Sequence, residues 1–179
     1  MGLGKTIEAG LAFRGLWLAG RVRSIRIFAP ASLTSQWLHE MAEKFFMPFQ
    51  RRLDRQGTSE RADPATGAVE RFQQELFSTS LEIISTGLLS RGDGVRLLEG
   101  LPETDFALVD EAHKARRRNP NLNRQEASFN HLYRALERGI SPPFQVAAAC
   151  HGHADAAQPG RGLRLAALHA DSRRGAPER

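Results

Sequence analysis

Two short groups of residues in this chain carry side chains suited to phosphate and magnesium chemistry. The first is a glycine-rich run ending in a lysine and a threonine, and it comprises Gly2, Leu3, Gly4, Lys5 and Thr6. The second lies much later in the chain and comprises Asp110, Glu111 and His113. Found together in this order, the two groups predict a site for a nucleoside triphosphate and magnesium, which either group alone would indicate only weakly.

The first group has the chemistry of a phosphate-binding loop. Glycine lets backbone N–H groups approach a phosphate that a Cβ would block, and some loop positions need a positive φ. Lys5 would place its ammonium between the β- and γ-phosphates, and the Thr6 hydroxyl would be a magnesium ligand. The full pattern G-x-x-x-x-G-K-[ST] needs five residues before Gly4, whereas three precede it here. We therefore expect an incomplete start, either a false start inside a longer gene or a lost upstream part.

The second group follows a buried strand. The apolar run at 106–109 leads directly into Asp110, and an aspartate at the tip of a strand can orient magnesium through its water shell. Glu111 could act as the general base that polarises an attacking water. His113 lies at the edge of this site and could relay the nucleotide state to a neighbouring lobe. If it stood alone, the pattern Asp-Glu-x-His would more often be a solvated loop.

Composition limits the class of protein. The length of 179 residues suits one domain, and 41% hydrophobic with 25% charged residues is typical of a soluble globular chain. There is no run of eighteen apolar residues, so we expect no membrane partner. A single cysteine, Cys150, excludes an internal disulfide and favours the cytoplasm. The net charge of +5 permits a polyanionic partner.

Alternating strand and helix patterns predict an α/β fold. We expect strands at 24–29, 81–86 and 106–110, helices at 7–18, 33–46, 69–77, 95–101 and 126–137, and a polar surface loop at 55–68. Ser32 is the expected cap of the second helix. Such alternation implies a parallel sheet flanked by helices, with ligands at the carboxyl ends of the strands. Both chemical groups fall at or beside such ends.

Several runs of the sequence carry a family resemblance. They lie at 1–10, 29–37, 44–45, 85–86 and 107–114, together with Glu40. In this order they resemble the first RecA-like lobe of the Swi/Snf group of helicase-like ATPases, within the DEAD/H-box superfamily. The nearest branch is the bacterial one whose ATPase recycles RNA polymerase. The resemblance covers residues 1 to about 136 and makes this a P-loop, RecA-like sheet that is incomplete at both ends.

The resemblance also implies cofactors and partners. These are ATP and magnesium, double-stranded DNA as the track, and RNA polymerase or another DNA-bound complex as the object remodelled. Ala29, Pro30 and the start of the next helix would lie near the DNA, where backbone amides suit phosphate contacts. Trp37, in that helix, is expected in the core rather than stacked on a base.

From about residue 140 the sequence changes character. The tail is rich in alanine, glycine, histidine and arginine, and it lacks the family's Thr-Ala-Thr-Pro motif. Degenerate codons for 146–165, shifted by one base, permit Ala-Thr-Ala-Thr-Pro. We therefore interpret residues 1–139 as a partial ATP-binding lobe and 140–179 as an irregular, out-of-frame tail. No metal site is expected from His151, His153 and Asp155.

Two functions remain open at this stage. One is the ATP-binding lobe of a DNA-dependent ATPase or translocase, inactive alone because a second lobe supplies an arginine in this family. The other is a non-catalytic fragment, the product of a pseudogene, that at most binds nucleotide or nucleic acid. A basic run at 114–118 could contact phosphates, although a solvated loop is the usual interpretation. ATP turnover stimulated by DNA would discriminate between the two.

Overall fold

The computed structural model describes residues 3–73, 81–90, 94–102, 104–111, 117–118, 128–129, 132, 136, 145–149 and 165–167. The helices in this part of the chain are α1 (Leu3–Leu18), α2 (Ala31–Phe45), α3 (Thr86–Leu89) and α4 (Gly94–Glu99). The strands are β1 (Ile25–Ala29), β2 (Gln50–Arg52), β3 (Thr58–Ala62), β4 (Val69–Gln73), β5 (Leu81–Ser85), β6 (Phe106–Asp110), β7 (Arg117–Arg118), β8 (Ser128–Phe129), β9 (Gln145–Ala149) and β10 (Leu165–Ala167).

One mostly parallel sheet organises the molecule. Its strand order is β10-β9-β6-β1-β5-β2-β3-β4, and every neighbouring pair from β10 to β2 is parallel. Strands β3 and β4 extend it as antiparallel neighbours, while β7 and β8 form a separate pair. The predicted α/β class, a parallel sheet flanked by helices, is confirmed.

The two faces of the sheet bury different sets of side chains. Alternate residues of β1, β5 and β6 pack with α1 and α2 on one face, including Ile27, Ile83 and Leu108. The residues between them, including Ile84 and Val109, pack with α3 and α4 on the other. Because consecutive strand residues point to opposite faces, Asp110 lies on the same face as Leu108 and therefore on the side of α1 and α2.

Helices α1 and α2 cross closely at a glycine. A Cβ built on Gly10 would overlap the ring of Phe45, which is 6% exposed. The absence of a side chain at Gly10 therefore sets how near the two helices approach. Helix α2 then ends at Phe45, and the next residue, Phe46, adopts a left-handed conformation with φ 51° and donates its N–H to the carbonyl of Ala42.

A buried ion triad joins three neighbouring strands on the face of α3 and α4. Glu82 of β5 accepts from Arg26 Nε of β1 at 3.3 Å and from Arg52 Nε of β2 at 2.7 Å. The three residues are 3–6% exposed. Burial lowers the pKa of Arg26, and the charge of Glu82 opposes that shift. Taking these charges out of water is costly, so the arrangement depends on the shared carboxylate.

Two sequence predictions for residues 55–77 are wrong. The expected surface loop contains β3, where Ser59 and Glu60 are buried, and the expected helix at 69–77 begins with β4. The polar sequence of β3 is compatible with burial because Arg51 and Arg71 both donate to the Glu60 carboxylate. Cross-strand ion pairs here replace the apolar alternation that usually identifies a strand.

The start of α2 also differs from expectation. The helix begins at Ala31, and Pro30 occupies the cap position without a side-chain hydrogen bond. Ser32 is therefore inside the first turn and does not cap the helix. The predicted strands at 24–29, 81–86 and 106–110 and the helices at 7–18 and 95–101 are confirmed to within a few residues as β1, β5, β6, α1 and α4.

The C-terminal part is less irregular than predicted. Strand β9 pairs in parallel with β6, and β10 pairs with β9, so the expectation of an irregular tail is wrong for the residues of these two strands. The proposed boundary at 139/140 and the frame shift stay predictions. Most of the predicted helix at 126–137 lies outside the described residues. Within it, Ser128 and Phe129 form β8, while Leu132 and Leu136 are helical and buried.

Candidate nucleotide-binding site

Asp110 is the last residue of a central strand. Its neighbours Phe106 to Val109 are buried, whereas Asp110 itself is half-buried at the carboxyl end of β6. Strand β6 is flanked by β1 and by β9, with Ala149 opposite Asp110 in the register. The apolar strand therefore fixes the backbone, and the carboxylate emerges at the edge where ligands bind in parallel sheets.

One oxygen of this carboxylate is held by a tryptophan of α2. Trp37 Nε1 donates to Asp110 Oδ2 at 3.0 Å, and Trp37 is 4% exposed. The expectation that Trp37 belongs to the core is confirmed. The sequence did not predict its contact with Asp110, because a buried indole needs an acceptor but nothing in the sequence indicates which one.

The first turn of α1 lies at the same edge of the sheet. The chain leaves the C-terminal end of α1 and enters β1 at its amino end, where Phe106 N donates to Ser24 O at 3.1 Å. Helix α1 therefore runs antiparallel to the strands. Midway along it, the ring of Phe13 meets that of Phe106 edge-on, with centroids 5.4 Å apart.

Helix and strand lengths, counted from the contact between Phe13 and Phe106, then put Lys5 and Asp110 at about the same distance along the strand direction. Lys5 precedes Phe13 by eight residues, which is about 12 Å of helix. Asp110 follows Phe106 by four residues, which is about 13 Å of strand. Both Lys5 and Thr6 are half-buried. The lysine and the threonine of the first group thus belong to the same edge as the aspartate of the second.

The glycine position of this turn is open. A Cβ on Gly4 would meet no atom within 4 Å. Gly4 is helical, so it does not use the positive φ that some positions of a phosphate-binding loop need. The space beside Gly4 suits the approach of an anion to the N–H groups of the first helical turn. Helix α1 includes the backbone of Leu3, while Gly2 and His113 lie outside the described residues.

Glu111 follows Asp110 with an unusual backbone. Its φ is 55°, in the left-handed region that non-glycine residues seldom adopt, and its side chain is half-buried. Such a conformation costs on the order of 1 kcal/mol or more and is enriched at functional sites. It turns the chain immediately beyond β6, and no sequence pattern predicted it.

The residues at this edge fit magnesium bound together with a nucleotide. In the described part of the chain, no group of three or more His, Cys, Asp or Glu side chains could form a metal cage. Magnesium in nucleotide sites is held instead by one or two protein oxygens, phosphates and water. Asp110 and Thr6 are of the right chemical type for that arrangement.

Comparison with known proteins identifies relatives but no matching family model. The chain is 36% identical over 139 residues to RNA polymerase-associated protein RapA of Pectobacterium atrosepticum, covering 76% of this chain and 13% of that protein. It is 31% identical over 115 residues to the uncharacterized ATP-dependent helicase YqhH of Bacillus subtilis, covering 64% of this chain and 17% of that protein. A RapA of Vibrio campbellii is 37% identical over 113 residues, 63% of this chain and 11% of that protein. The chain thus spans less than a fifth of the length of these relatives.

Proposed function

Because the chain is a homologue of RapA, a Swi/Snf-family helicase-like protein, and of the ATP-dependent helicase YqhH, we propose that it is the ATP-binding lobe of a DNA-dependent ATPase. One feature of the architecture supports this above the others. Counting residues from the contact between Phe13 and Phe106 brings the first turn of α1, with Lys5 and Thr6, to the same edge of the sheet as the half-buried Asp110. That pairing is what binding a magnesium-bound triphosphate requires.

Each residue at the edge has a distinct task in this proposal. The Lys5 ammonium and the N–H groups of the first helical turn bind the phosphates. Thr6 and Asp110 bind magnesium, which neutralises charge on the phosphates when it is present. In the longer protein, Glu111 would orient and deprotonate the attacking water. The left-handed backbone of Glu111 changes the direction of the chain just after Asp110, so the carboxylates of Asp110 and Glu111 can point in different directions.

The start of α2 supports a nucleic-acid track. Ala31 and Ser32 are exposed, and no side chain caps this helix. Leu33 N donates to Pro30 O at 2.8 Å, which leaves the N–H groups of Ala31 and Ser32 to meet phosphate oxygens, contacts that position a strand without reading its sequence. We propose double-stranded DNA as that track and, by analogy with RapA, which is named for its association with RNA polymerase, RNA polymerase as a partner of the whole protein.

A non-catalytic role is the second candidate. The chain spans 11–17% of the three relatives' lengths, and the family resemblance implies that an arginine from a second lobe accelerates hydrolysis in the longer protein. We therefore propose that the chain binds Mg·ATP without turning it over. The parent activity belongs to the longer protein.

Equilibrium binding of Mg·ATP, run beside a turnover assay, tests the proposal. The expected result is saturable binding, with phosphate release at background both with and without double-stranded DNA. Absence of binding would overturn the proposed function. Turnover stimulated by DNA would show instead that this chain needs no second lobe and would overturn only its assignment as a non-catalytic lobe.

A further inference from the structure

We propose that Trp37 is a positioning residue for Asp110. Its indole N–H fixes Oδ2 of the carboxylate and so leaves Oδ1 as the oxygen available to magnesium. This inference rests on the proposed nucleotide function and adds to it a residue of α2 that lies outside both chemical groups. Trp37 acts through Asp110 and touches neither nucleotide nor metal.

The contact has the features of a fixed donor. The indole nitrogen can only donate, so the 3.0 Å contact requires a lone pair of the carboxylate. Among the hydrogen bonds made by the described residues, this is the one that involves the Asp110 side chain. Because a carboxylate rotates about a single bond, a donor on one oxygen also sets the direction of the other.

The packing of α2 restricts the movement of the Trp37 side chain. Its neighbours on α2, Leu38 and Met41, are 1% and 0% exposed and belong to the larger core cluster, which also contains residues of β1 and β5. Helix α2 is thereby held to the sheet, and the indole is held with it. Fixed partners of this kind tune metal ligands, and their loss typically weakens metal affinity by about 10- to 100-fold.

A purely structural role is the competing explanation. Any buried indole N–H needs an acceptor, and Asp110 could serve only that purpose. The two explanations differ in one observable. A structural role predicts a change in the melting temperature alone, whereas positioning predicts a selective loss of the magnesium-dependent part of nucleotide affinity.

The test compares two conservative variants of the whole chain. Trp37→Phe removes the donor and keeps a ring, and Trp17→Phe is the matched control in α1, where the ring is half-buried and lies 5.9 Å from the Arg14 guanidinium. Calorimetry measures the Kd for ATP in EDTA and in magnesium. The Kd in EDTA divided by the Kd in magnesium measures how much magnesium strengthens binding. This ratio should fall about tenfold or more in Trp37→Phe, and it should be unchanged in Trp17→Phe. Affinity in EDTA should stay close to that of the wild type.

Nuclear magnetic resonance gives a second measurement, which does not depend on whether Trp37→Phe folds. The Trp37 indole N–H resonance should shift when Mg·ATP is added and when Asp110 is changed to Asn, while that of Trp17 stays in place. An unchanged magnesium ratio in a folded Trp37→Phe, or a Trp37 resonance insensitive to both changes, overturns the positioning role alone. Absence of magnesium-dependent binding in the wild type overturns the proposed function, and this inference with it.

Discussion

Trp37 Nε1 lies 3.0 Å from Asp110 Oδ2 and joins α2 to the carboxyl end of β6 across 73 positions of the sequence. The contact links two parts of the molecule for which the residue patterns predict different tasks. Helix α2 begins beside the proposed DNA track, and β6 ends at the proposed magnesium position. A hydrogen bond between a core residue and a site residue means that core packing also determines the geometry of the site.

Removal of the shared carboxylate of the ion triad should be strongly destabilising. Glu82→Gln keeps the shape of the side chain but leaves Arg26 and Arg52 buried without a negative partner. We expect the free energy of unfolding to fall by about 3–5 kcal/mol, measured by denaturant titration. The control is Glu70→Gln, which breaks the exposed pair with Arg61 and should change stability by less than about 1 kcal/mol. Similar small losses in both variants would contradict the role given to the triad.

Two glycines of α1 should respond oppositely to alanine. Gly15 is exposed, and a Cβ there would meet no atom within 4 Å, so Gly15→Ala should stabilise the chain by about 0.5–1 kcal/mol through helix propensity. At Gly10 the new Cβ would overlap the Phe45 ring, and Gly10→Ala should destabilise by about 1–3 kcal/mol. Thermal unfolding of both variants measures the difference. Stabilisation by Gly10→Ala would mean that α1 and α2 are not packed as closely as described.

One carboxylate should give the fold a dependence on acidic pH. The backbone N–H groups of Arg23 and Ser24 donate to Asp105 Oδ2 at 2.7 and 2.9 Å and lower the pKa of this carboxyl. With a lowered pKa in the folded state, the unfolded chain takes up the proton first as pH falls. The contact therefore stabilises the fold above the unfolded pKa of about 3.9 and loses this effect as pH falls through the folded value.

The Asp105→Asn variant tests this sign. It keeps an acceptor but has no charge, so it should be less stable than the wild type near neutral pH, and the difference should shrink towards zero in acid. Chemical denaturation across this pH range measures it, with Glu99→Gln of α4 as the control for net charge. A difference that grows on acidification would have the wrong sign for this account.

The parts of the fold that sequence could predict are those in which burial is apolar. Strands β1, β5 and β6 are short runs rich in branched and aliphatic residues, and their ends were predicted within one residue. Strand β3 was not predicted, because its buried Glu60 depends on Arg51 and Arg71, which only the folded sheet brings together. Local pattern does not encode such pairing.

The candidate site also has features that the sequence predicts and features that it does not. Lys5, Thr6, Asp110 and Glu111 were selected from residue type and spacing, and the architecture places α1's first turn and the end of β6 at one edge. The indole contact to Asp110 and the left-handed backbone of Glu111 are products of tertiary structure. No pattern among the neighbouring residues in the sequence indicates either feature.

Calorimetric titration of Mg·ATP into the wild type and into Lys5→Ala and Asp110→Ala tests whether the two residues belong to one Mg·ATP site. Lys44→Ala and Asp63→Ala remove an exposed lysine and an exposed aspartate away from the sheet edge and serve as controls. We expect binding by the wild type and by both controls, and affinity lower by about tenfold or more in Lys5→Ala and Asp110→Ala, since each removes a direct partner of the phosphates or the metal. Equal affinity in all five proteins would contradict this expectation.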